Sequence, residues 1–209
     1  MENNQQHLEA LNDIRQMMQR SNKFLSLSGF SGVFAGIYAL MGAYLGVEII
    51  GKYVESADYS REAYNQMLIM CTIVCALVLA LSILTALFFS ARKAKKMGQK
   101  FFDHTALRLL INMMIPLIAG GFFCIGLIYQ GRGMILLVCP AMLIFYGLAL
   151  VNGSKYTLHD IRYLGCMQIA IGVVSTFFLG YGILFWAFGF GVLHIVYGAF
   201  MWFKYDRKT

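Results

Sequence analysis

Between Tyr163 and Phe203 the chain has no Asp, Glu, Lys or Arg. Charge is scarce throughout: these four residue types make up 13% of the 209 residues, against about a quarter in a soluble domain. That shortage argues against an ordinary water-soluble fold. Proline is almost missing, with 2 residues, so long helices meet few breaks. The 5 cysteines form no Cys-x-x-Cys pair, and an odd number cannot pair fully within one chain. Cys71, Cys75, Cys124, Cys139 and Cys166 all fall in apolar runs and read as small packing residues. Histidine is also sparse. His7, His104 and His159 lie outside or at the edge of the apolar runs, which leaves too few ligands for a non-haem iron oxygenase or a two-histidine haem. No Gly-rich phosphate loop precedes a soluble helix, and no Asp or Glu sits in the middle of an apolar run, which weighs against a proton- or sodium-coupled pump. No metal and no cofactor is expected.

Apolar length is abundant. Runs with few or no charges occupy about 29–50, 67–90, 109–129, 133–152, 163–180 and 183–203. About 20 apolar residues span a bilayer as a helix, so each run is a candidate span. A single helix through 163–203 would be roughly 60 Å long, twice the hydrocarbon thickness. The block must therefore turn, best at Gly180-Tyr181-Gly182. The expected fold is all-α: a polytopic membrane protein with six transmembrane helices in a domain over 24–205. A short amphipathic segment over 1–23 precedes it, and a tail over 206–209 follows. Residues 1–23 lack the apolar core of a signal peptide, so the first run is expected to be retained as a span. Pro116 and Pro140 fall within the third and fourth spans and are expected to bend them.

In the leading segment, Leu8, Leu11, Ile14 and Met18 fall near one helix face. Such a stripe suits the membrane surface or a partner helix. Lys and Arg fix the expected orientation. In a six-span scheme all but Lys52, Arg61 and Arg132 of the 17 basic residues lie on one side, so both termini should face the cytoplasm. Arg92, Lys93, Lys95 and Lys96 lie beside the inner surface, where they mark topology and can also meet anionic lipid headgroups. Topology accounts for the net charge of +7, and no nucleic-acid partner is expected.

Small residues recur at helical spacing. Gly32 and Gly36 share a face of the first span, and Gly191, His194 and Gly198 share a face of the last. Glycines at this spacing let helices approach closely. His194 is thus expected to point into the bundle. An ionisable residue there is a functional candidate, as proton relay, ligand contact or metal ligand. The plainer alternative is a neutral imidazole bonded to a neighbouring helix. Its candidate companions are Asn112, Gln168 and Arg108, with Tyr146 and Tyr197 each just before a glycine. No catalytic constellation is recognised: Ser154 lies at the end of the fourth span, far in depth from His194.

The stretch "IRQMMQRSNKFLSLSGFSGVFAGIYALMGAYLG", residues 14–46, resembles the beginning of a group of uncharacterised multi-span membrane proteins of Bacteroidetes-type bacteria. The resemblance implies a bacterial inner-membrane protein encoded beside a small winged-helix regulator, and it transfers no functional residue. The expectation is a non-enzymatic membrane protein acting through helix packing, in self-association as a homo-oligomer or in docking a cytoplasmic regulatory partner. The alternative is a small transporter with a polar site around His194, Asn112 and Gln168. An intramembrane enzyme ranks last.

Overall fold

The computed structural model describes residues 28–96 and 104–206, all helical or turn, with no strand among them. The expected amphipathic segment over 1–23 and most of the tail lie outside the described residues. Five helical stretches are long and apolar enough to cross a membrane: Gly29–Glu55, Arg61–Lys96, His104–Gln130, Met134–Gly153 and Leu179–Tyr205. The chain is in this sense a membrane protein by length and composition. Between the last two lies a shorter apolar helix, Ile161–Ser175.

Helix α1 (Gly29–Glu55) runs until Ala57 takes a left-handed conformation (φ 50°), which turns the chain. Asp58 then accepts the Ser60 N–H at 2.9 Å, and Ser60 Oγ accepts the Ala63 N–H at 3.1 Å, starting α2 (Arg61–Lys96). Those bonds from the Ser60 backbone and side chain hold the Asp58 carboxyl below its usual range. Helix α3 (His104–Gln130) ends at Gly131, whose φ of +103° favours glycine. A 3-10 turn, Met134–Leu137, leads into α4 (Val138–Gly153). Pro140 therefore falls in the first turn of α4, where a missing N–H costs little, and the bend expected from it is not required. Pro116 lies inside α3.

Helix α5 (Ile161–Ser175) is shorter than the expected span 163–180. The turn begins at Thr176, earlier than the glycines suggested, and Gly180 and Tyr181 belong to a 3-10 turn, Leu179–Tyr181. The remainder is one continuous rod: α6 (Gly182–Trp186), a π segment (Ala187–Leu193), α7 (His194–Met201) and a second π segment (Trp202–Asp206).

Successive helices alternate in direction. Helix α1 lies between α2 and the rod, α3 packs on α4, and α5 is held between α4 and the rod. The glycines set these distances. A Cβ at Gly36 would stand 2.6 Å from the Gly191 carbonyl oxygen, and one at Gly198 would stand 2.6 Å from the Val33 nitrogen. Gly32 faces Gly198 in the same seam. All four glycines marked by their spacing thus join α1 to the rod of the same chain. Gly147 of α4 and Gly165 of α5 meet in the same manner. At the end away from most of the basic residues, Arg132 donates to the carbonyls of Tyr59 (2.6 Å) and Ser60 (3.0 Å) and lies over the Tyr64 ring. That contact ties the α3–α4 connection to the α1–α2 connection.

Candidate functional site: a buried histidine network

His194 opens α7, directly after the π segment, and is 7% exposed. Its ring stacks on Phe190 and leans on Tyr146 of α4. Nδ1 lies 3.0 Å from the Gly189 carbonyl oxygen, and Nε2 lies 2.8 Å from the Tyr146 hydroxyl. A carbonyl can only accept, so Nδ1 carries the hydrogen. In a neutral ring Nε2 is then the acceptor and Tyr146 donates to it. Gln168, fully buried on α5, donates through Nε2 to the same Gly189 carbonyl at 2.7 Å. Its Nε2 is 3.5 Å from His194 Nδ1, so two donors converge on one acceptor. The carbonyl also fixes the Gln168 amide: turned over, its oxygen would oppose the Gly189 oxygen. As placed, Gln168 Oε1 has no hydrogen-bond partner.

Glycine at 189 makes this possible. A Cβ there would stand 2.6 Å from Gln168 Oε1 and would also collide with Leu143, which is fully buried. The network joins α4, α5 and the rod through side chains that hydrocarbon cannot satisfy. Each interhelical bond of this kind contributes roughly 0.6 kcal/mol, while leaving a buried partner unmet costs about 1–3 kcal/mol.

Of the sequence candidates, the structure brings His194 and Gln168 together. Asn112 and Arg108 lie apart from them, on α3 against the far end of α4. Asn112 is half-buried and donates through Nδ2 to the Arg108 carbonyl at 2.8 Å, while the Arg108 side chain is exposed. The informative group there is the backbone oxygen of Asn112. Pro116, four residues on, cannot donate to it, and Asn152 Nδ2 of α4 supplies the bond at 2.8 Å. Spacing within α3 flags that released carbonyl, but nothing local identifies Asn152 as its donor. Ser154 Oγ bonds only to the Val151 carbonyl of its own turn, at 2.7 Å. Arg92, Lys93, Lys95 and Lys96 occupy the last turns of α2.

A second polar cluster closes the α4–α5 connection against the end of the rod. Asp160 Oδ2 accepts from Lys204 Nζ (2.6 Å) and from the Tyr205 hydroxyl (2.9 Å). Partial burial opposes its charge, but these two bonds prevail and hold the carboxyl below its usual range. Sequence alone did not pair Asp160 with Lys204, because 44 residues separate them.

Among the described residues no group of three or more His, Cys, Asp or Glu is placed to hold a metal ion. No protein family, curated protein or solved structure was found to match this chain.

Proposed function

We propose that the chain is a non-enzymatic, six-span protein of a bacterial inner membrane, of the Bacteroidetes-type group noted above, that docks a cytoplasmic regulatory partner at its basic end. Helix α5 is the sixth span. At roughly 22 Å it is shorter than the hydrocarbon layer, and local thinning or the turn beyond Ser175 makes up the difference.

The alternating packing is the observation that carries this. It gathers the start of α1, the end of α2, the start of α3, the α4–α5 connection and the end of the rod at one end of the bundle. Arg92, Lys93, Lys95, Lys96, Arg108, Lys155, Arg162 and Lys204 are all there, whereas Lys52, Arg61 and Arg132 are at the other end. That asymmetry orients the protein with both termini in the cytoplasm. It also offers anionic lipid headgroups a cationic rim.

Docking is favoured over self-association through the glycine stripe, because Gly32, Gly36, Gly191 and Gly198 are already engaged inside the chain. A homo-oligomer would have to use the outer faces of α2 and α3. A carrier centred on His194, Asn112 and Gln168 has less support, since His194 and Gln168 are enclosed and Asn112 belongs to another seam. An enzyme has least, as Ser154 is engaged within its own turn. Reporter fusions at the two ends test the orientation on which the proposal stands. Both should report the cytoplasm, and opposite faces would overturn it.

A further inference from the structure

Four buried side-chain atoms among the described residues lack a hydrogen-bond partner: Tyr64 Oη, Gln168 Oε1, Ser175 Oγ and Tyr197 Oη. Three of them border the seam between α4, α5 and the rod, and two of those belong to fully buried residues. In hydrocarbon such atoms are costly, and buried water commonly meets them. Tyr197 lies one turn from His194 on the rod, and its hydroxyl is within electrostatic reach of Asp160 and Tyr205. Polar groups therefore run from Asp160 at the basic end, past Tyr205 and Tyr197, to His194 and Gln168. That distance is roughly 12 Å along α5. Beyond Gln168 the path closes, because Gly172 is packed directly against Ile144 and Leu143.

We propose that His194 is a proton-binding site reached from the basic end only, through water held along Tyr197 and Gln168. A hydronium ion from that side gives its proton to Nε2 and leaves as water; one O–H bond breaks and one N–H bond forms. Tyr146 keeps its hydrogen and changes from donor to acceptor. The imidazolium then has the Gly189 carbonyl on Nδ1 and Tyr146 on Nε2, with the unpartnered Gln168 oxygen beside the ring. The groups around the ring are few. Helix α4 brings the Tyr146 phenol, the rod brings the Tyr197 phenol, α5 brings the uncharged Gln168, and α1 brings glycine. No charged group acts on the ring. The site itself follows from the seam geometry, and only the naming of its open side as cytoplasmic rests on the orientation proposed above.

The full chain, carrying ¹⁵N-labelled histidine, is placed in lipid nanodiscs, with the His194 signals assigned from the His194→Gln variant. Between about pH 5 and pH 8, where imidazoles change charge, the His194 nitrogens should pass from the neutral Nδ1–H pattern to the doubly protonated one. Tyr197→Phe should slow proton exchange at His194 roughly tenfold without moving the unfolding midpoint. Ser175→Ala, on the closed side, should leave the exchange unchanged. In proteoliposomes of fixed orientation, only a pH jump on the Asp160 side should reach the ring. Nitrogens that stay neutral across the range overturn the proposal, and so does equal access from both sides. Exchange that is indifferent to Tyr197→Phe overturns the path. Reporter fusions that contradict the orientation, with access still confined to the Asp160 side, would leave the site standing and remove only its cytoplasmic assignment.

Discussion

Helices α2 and α5 are both apolar, yet they are held in opposite ways. Helix α2 has 36 residues and the most apolar window of any span, and none of that window is buried. It packs on α1 and otherwise presents Ile73, Leu77, Leu84 and Phe88 outward. Helix α5 has 15 residues and buries Gly165, Gln168, Gly172 and Ser175 between α4 and the rod. In water the more hydrophobic helix would be the one inside. In lipid, apolar surface gains little by leaving its solvent, so burial goes to small residues that allow close approach and to polar groups that need partners.

Substitutions in the two helices sharpen this contrast. Gly165→Leu should have the largest effect, because a Cβ at that position already stands 2.8 Å from the Gly147 carbonyl oxygen. A loss of about 3 kcal/mol is expected, read as a lowered unfolding midpoint in mixed micelles. If α5 tolerates leucine there, the close contact with α4 is not what holds it. Gln168→Leu should cost about 2 kcal/mol, since the Gly189 carbonyl loses its shorter donor. The same change should alter the His194 nitrogen signals, which a purely local packing defect would not do.

Asp160→Asn should cost about 1 kcal/mol, discounted because Lys204 is partly exposed. Its pH dependence has a definite sign. The folded carboxyl lies below the unfolded value of 3.8, so its stabilisation is complete above that value and is lost as pH falls through the folded one. The gap between wild type and variant should be flat near neutrality and should close in acid. A gap that widened in acid would refute the clamp. Ala80→Leu on the exposed face of α2 should be the smallest, within about 0.5 kcal/mol in either direction. A loss comparable with that of Gly165→Leu would mean that α2 has a protein neighbour where lipid was inferred.

Much of this architecture could be read from the sequence. Long uncharged runs give the spans, because a helix must satisfy its own backbone in hydrocarbon. Glycine spacing showed that His194 faces inward. Three features were hidden for physical reasons. Apolar length measures how far a run could extend but not where it stops, so α5 came out shorter than its run. Spacing finds a contact face but not its partner, so Gly32 and Gly36 could not be assigned to the rod rather than to another chain. Hydrogen bonds that close across helices, such as Asn152 to Asn112 or Lys204 to Asp160, depend on depth and rotation together. Neither is encoded locally.

The wide turn at Ala187–Leu193 has one more consequence. A π turn stores more residues than an α turn of the same height. Deleting any one residue there would let the coil tighten, swinging all that follows by about 100°. Gly198 would leave the groove of α1, and Lys204 would swing away from Asp160. In this stretch the number of residues matters more than their identity, and a single-codon deletion should do more harm than most single substitutions.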